Sequence, residues 1–525
     1  MKSLKYLKVS SAAFVPFIYL LLLAGSSTAQ TLPLSALENI QDSVRNSQLM
    51  GKDSTRSSYL IRPVSIPLFG KEIYKSRDGN ISFSVLPLLL QQQLNTHHPY
   101  GSNDNSIIPA KGYQLMASAG IYFKAGPLRI QAYPEYGYAE NREFKQPEMV
   151  GNDLYYAYPG LVYNRIDNPS RFGNSAYNKI NWGQSSVRLN FDPLSIGLSN
   201  ENIWWGPGRK NSLLMSNDAG GFKHFTLNTT RPVDIKIGKI EAQAILGKLE
   251  PSGVPIPENL PGSTSNSFKD KISTWRTIAA FTIAYQPKWV SGLSIGFDRS
   301  AVAYHNNTDS AMKLASFFAR WLMPESNTEV YAQYGTNTHV KNLQGRILKS
   351  NAYLVGFNKL IPLSRSGEYI QAGIEFTQLE VPKNGSLSTK PSWYTDDFVR
   401  HGYTNRGQLL GAAVGPGGSM QSLDVNWIKG YKRIGIIVDR LVHNNDFFYD
   451  AAAPVSDLRR HWVDLALGSK FSWDFHRLIL NTQLTYIKSF NYQWGFKYVD
   501  KIFYWDLPKQ DKNNVQMKVG LMYNF

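Results

Sequence analysis

The 525-residue chain contains no cysteine. That excludes disulfides, thiolate metal sites and a lipid anchor on an N-terminal cysteine. Beyond residue 29 it has no uninterrupted run of 18 apolar residues, which argues against helical membrane spans. Acidic residues are scarce relative to basic ones, 39 against 56, for a net charge of +17. CxxC, Walker and dinucleotide-binding glycine patterns are missing, and so are HExxH metal spacing and any solenoid-length repeat. No cofactor and no metal site is expected. Nucleic acid is not expected as a partner either, since no nucleic-acid fold pattern accompanies the charge.

The first residues read as a leader. Lys2, Lys5 and Lys8 precede an apolar core from Ala12 to Ala24, and Ser27-Thr28-Ala29 supplies small residues for cleavage. Residues 1–29 read as a secretory signal peptide. Residues 30–79 read as a periplasmic N-terminal segment. Within it, residues 35–50 suit a short helix, with Ser35 and Glu38 as a capping box and Leu37, Ile40 and Val44 on one face. That helix is either an ordered periplasmic element or a mobile terminus.

From about Ile81 the apolar pattern has period two, and residues 80–525 read as one all-β domain. Ile370, Ala372, Ile374 and Phe376 alternate with Gln371, Gly373, Glu375 and Thr377. Leu478, Leu480, Leu484 and Tyr486 mark another such run, broken by an apolar Ile479. Val515, Met517, Val519, Leu521, Tyr523 and Phe525 form a last strand that ends on an aromatic. Such a strand resembles the signal that the barrel assembly machinery reads. With 30 Tyr and 12 Trp for interfacial girdles, the expectation is a transmembrane antiparallel β-barrel of a Gram-negative outer membrane, embedded in lipid and lipopolysaccharide. About 445 residues at about 20–25 per strand and turn give roughly 18 to 22 strands.

Two segments are chemically dense. In the first, Trp204-Trp205 precedes Gly206-Pro207-Gly208 and then Arg209, Lys210 and Asn211. Rigid aromatic faces beside a fan of donors suit a sugar. Alternatively, the tryptophans pack and the glycines turn. In the second, Trp393 to Gln408, Arg400, His401, Tyr403 and Arg406 stand close to Asp396 and Asp397. The arginines hold a ligand carboxylate, or the cluster is a buried polar network.

Both segments resemble blocks of the Wzi family of outer-membrane capsule assembly proteins. Further blocks occur in the same order: Tyr100-Gly101-Ser102-Asn103-Asp104, Ile166-Asp167-Asn168-Pro169, Gly183-Gln184-Ser185-Ser186 and Gly415-Pro416-Gly417. The resemblance covers about residues 80 to 525. It implies 18 strands, a monomer, and a longer helical N-terminal region than residues 35–50 provide.

The expected function is therefore lectin-like. The barrel binds capsular or other acidic surface polysaccharide and helps attach or organise capsule. The candidate ligand-binding residues are Trp204, Trp205, Arg209, Lys210, Asn211, Arg400, His401, Tyr403 and Arg406. A general or anion-selective diffusion porin is the alternative. Catalysis is not expected: Ser216, Asp218 and His224 lack nucleophile-elbow spacing, and Asp396 with His401 is an isolated pairing.

Overall fold

The computed structural model describes residues 30–31, 38–52, 57–63, 65–66, 70–144, 162–255, 271–341, 347–381, 392–452, 461–494 and 511–525. Residues 1–29, expected to be a signal peptide, and Ser35 and Leu37 of the expected helix lie outside them. None of the described helices is long and apolar enough to cross a membrane.

Period-two alternation builds the wall. Arg276–Pro287, Leu293–Tyr304, Asn307–Met323 and Thr328–Lys341 pair antiparallel, each with its sequence neighbour. The same meander continues to Lys512–Tyr523, which pairs with Leu88–Asn95. The last strand thus pairs with an early one. Early strands are interrupted: Ile81–Val85 gives way to Leu88–Asn95 around Pro87, and Leu128–Ala132 to Glu135–Ala139 around Pro134. Proline has no N–H for the ladder. At Gly120, between two further segments, a Cβ would stand 2.0 Å from Ala132 O. The number of strands depends on whether an interrupted strand is counted once.

The wall is polar inside and apolar outside. Phe317 and Leu467 are 60% and 57% exposed on the outer face. Gln333, Gln371, Glu375, Lys470 and Gln516 are buried on the inner face. That polarity fits a lipid exterior. Connections differ between the ends. Turns such as Lys429–Lys432 and Phe475–Leu478 are tight, whereas 200–223, 379–418 and 444–461 at the opposite end are long. In outer-membrane barrels tight turns face the periplasm and long loops face outward.

The helix foreseen over 35–50 forms at Glu38–Leu49, and it packs inside the wall. Its Ile40 belongs to an apolar cluster with Met116, Tyr133, Ile479 and Met522. Leu49 packs with Leu360 and Ile428. Ile479, the apolar break on the inner face, belongs to the same cluster as Ile40. The polar side of the helix is equally committed. Arg45 Nε meets Glu329 Oε1 at 2.7 Å, and Arg433 Nη2 meets Asp42 Oδ2 at 2.5 Å. Twelve residues give about 18 Å of helix, which lies across the tight-turn end of the lumen.

Candidate functional site

The tryptophan–glycine segment is a clasp between the N-terminal segment and the wall. Trp204–Trp205 pairs with Ile61–Arg62 as a two-residue ladder inside the lumen. The Trp205 ring has no exposed surface, and its Nε1 donates to Gln243 Oε1 at 2.9 Å. The Arg62 guanidinium lies 4.4 Å from the centroid of the Trp204 ring and donates to Gly208 O at 3.2 Å. Gly206 has φ +95°, a conformation that side chains rarely adopt, and a Cβ on Gly208 would strike Asn211 O at 1.8 Å. This tight backbone points three successive N–H groups the same way. Glu375 receives them all: Arg209 N at 2.7 Å, Lys210 N at 3.2 Å and Asn211 N at 2.8 Å, with Tyr331 Oη at 2.9 Å. Helix-terminus-like nests of this kind bind anions, and here the anion is the protein's own.

The Arg209 side chain is occupied as well. It reaches Asp42 and Asp424, each at 3.3 Å, and passes over Gly373, where a Cβ would stand 2.4 Å from its Nη1. Burial alone would lower its pKa; Asp424 and Asp42 raise it well above the usual value. Burial lowers the pKa of Arg62 to about 10.

The second segment fills the long-loop end. Tyr394 and Tyr403 stack at 5.7 Å and 12°, both nearly unexposed. Tyr394 Oη donates to Leu213 O and accepts from Ala412 N, each at 2.7 Å, so the two dense segments are knitted together. His401 is 2% exposed, with Nδ1 2.9 Å from Tyr304 Oη. Arg400 donates to Asn164 Oδ1 at 2.7 Å. Arg406 binds Glu250 Oε2 and Asn181 Oδ1, and its side chain keeps 31% exposure. Asp396 Oδ1 accepts from Phe398 N and Val399 N, and Asp397 pairs with Arg165.

Beside the clasp lies a chamber of about 330 Å³. Trp204, Arg209, Lys210 and Asn211 line it; Trp205, Arg400, His401, Tyr403 and Arg406 do not. The first segment therefore divides: both rings are buried, but Trp204 borders the chamber and Trp205 does not. Several lining residues escaped the sequence reading. Asp439, His443, Trp462, Asp464 and Asn481 come from inner faces of the late strands. Alternation alone could have placed them inward, but nothing local says that they meet. Tyr100 to Asp104, noted as a family-like block, forms another wall, with Lys518 Nζ 2.7 Å from Asp104 Oδ1.

The family model for capsule assembly protein Wzi matches residues 103–493. Among solved structures, the chain is similar to Wzi of Escherichia coli, an outer-membrane protein involved in group 1 capsule assembly and a carbohydrate-binding β-barrel. Identity is 13%, the match covers 93% of this chain and 98% of that one, and the TM-score is 0.57. OccAB2 of Acinetobacter baumannii matches at 9% identity over 84% of this chain and 98% of that one, with a TM-score of 0.43. No curated protein matches the sequence.

Proposed function

The chain belongs to the Wzi family of capsule assembly proteins, and from that membership we propose that it binds surface polysaccharide and helps attach or organise capsule, without catalysis. The outer membrane is its site, with lipid and lipopolysaccharide around the wall. The barrel assembly machinery inserts it, and it works as a monomer.

One observation carries the choice over a diffusion porin. The lumen is obstructed from both ends, by Glu38–Leu49 at the tight turns and by the knitted segments around Trp205 and Tyr394 at the long loops. A pore needs that volume as water. The non-catalytic reading rests on the occupied side chains. Ser216 Oγ donates to Gly411 O at 2.5 Å, and His224 Nδ1 lies 2.7 Å from Phe222 O. Neither is poised on the other. At the long-loop end, Lys223, Lys248 and Arg406 surround Glu250, and this basic rim suits an acidic polymer.

A deletion strain tests the proposal. It should shed polymer while synthesising it normally, and the wild-type copy should restore retention. Full retention in the deletion would end the reading. Purified protein in planar bilayers should give little steady conductance; large, stable steps would favour the porin.

A further inference from the structure

The chamber beside Trp204 is unusual in what its polar atoms lack. Asn211 and Asn217 are 1% and 5% exposed, and the Oδ1 of each has no hydrogen-bond partner among the described residues. The same holds for Trp204 Nε1, Gln91 Oε1 and Asp439 Oδ1. Asn481 has both side-chain polar atoms unpaired. A buried polar atom without a partner costs about 1–3 kcal/mol, so groups that line a common space imply something in it that hydrogen-bonds. The chamber's size is at the lower end of small-molecule sites, about 300–1,000 Å³.

Its cations are not available to an anion. Arg209 is held by Asp42 and Asp424, Arg433 by Asp42, and Lys518 by Asp104. Lys210 and Lys470 are engaged too. What remains unpaired is mainly acceptor oxygen, including a carboxylate oxygen of Asp439 that would repel a uronate. Tyr100, Trp204 and Trp462 add aromatic rings to the lining. Trp462 is stacked on His443 at 3.7 Å and braced edge-on by Trp494 at 5.2 Å.

We propose that this chamber is a saccharide subsite for one or two neutral, hydroxyl-rich sugar units. Their hydroxyls donate to Asn211, Asn217, Gln91 and Asp439, and accept from Trp204 Nε1. Their C–H faces lie against the rings of Trp204 or Trp462. The proposal rests on the polysaccharide-binding reading and narrows it: an acidic polymer engages the basic rim through charge, and a neutral residue of that polymer is recognised inside.

The probes are fragments of one to three residues, released by mild acid from the capsule of the source strain and separated into neutral and acidic pools. Binding is read by tryptophan fluorescence of the whole detergent-solubilised protein. The neutral pool should bind saturably to the wild type. Asn481→Trp should weaken it by roughly tenfold or more, because the new ring occupies the chamber and Asn481 gives up no side-chain partner among the described residues. Heat-modifiable migration on gels confirms that the variant is folded. Asp439→Asn, which is isosteric, gives a second reading should Asn481→Trp not assemble; it should weaken neutral binding too. Binding by the acidic pool alone, equal binding in folded Asn481→Trp, or no binding by either pool overturns the proposal. If the deletion strain sheds capsule and one of these results is found, the subsite falls and the broader function stands.

Discussion

The nest around Glu375 yields the most exacting test. Glu375→Gln keeps the side chain's shape and its place on the inner face, away from lipid. One carboxylate oxygen becomes an NH₂ group that faces N–H donors. With the amide oxygen at the Oε2 position, the 2.8 Å bond from Asn211 N is lost. With the oxygen at Oε1, the 2.7 Å bond from Arg209 N is lost. Either way a charge-assisted bond of about 1.5–3 kcal/mol disappears and a buried N–H is left unsatisfied, at a further cost of about 1–3 kcal/mol. A local loss of roughly 3–5 kcal/mol follows. The wall ladder is untouched, so the protein should still insert and resist heat. Opening of the loop becomes roughly a hundredfold or more easier, which hydrogen exchange at the Arg209, Lys210 and Asn211 amides measures directly. Brief conductance bursts in planar bilayers should accompany it, since the same loop helps fill the lumen. Exchange at these amides within about twofold of wild type would refute the assignment of Glu375 as the anchor.

Other consequences follow from the same geometry. Trp205→Ala should cost about 3–5 kcal/mol and lower heat resistance, because a fully enclosed ring and its bond to Gln243 are removed; unchanged melting would return Trp205 to the list of exposed binders. Removing Phe525, which packs edge-on against Tyr523 at 5.4 Å, should reduce insertion as measured by the heat-modifiable fraction. Acid should loosen the segment around His401. Burial, and after it Arg276, hold its pKa down to about 3; Lys271 and Arg400 add to this, and Asp167 opposes it. The folded segment keeps the ring neutral while a free imidazole takes a proton near 6.5, so stability present above pH 6.5 is lost as pH falls toward 3. At pH 5 the loss is about 2 kcal/mol. Protection factors across residues 392–418, taken against the intrinsic exchange rate at each pH, should therefore fall between pH 7.5 and 5, and His401→Gln should flatten that dependence.

The sequence by itself determined the wall and the environment. Side-chain direction in a strand is local, with period two, so Gln371, Glu375 and Thr377 could be placed inward and Phe376 outward without any partner being known. The helix was legible for the same reason, from spacing within one turn. What the helix does was not, since its partners Met116, Ile479 and Met522 are remote in sequence. Tertiary structure decided the site. Glu375 lies 164 residues from the Asn211 amide that it receives, and Asp42 lies 391 residues from Arg433. Trp204 and Trp205 are neighbours of one type, yet one lines a chamber and the other is enclosed. Facing across a lumen is set by strand register and by which loops fold inward. Those depend on the wall as a whole, and no window of sequence contains it.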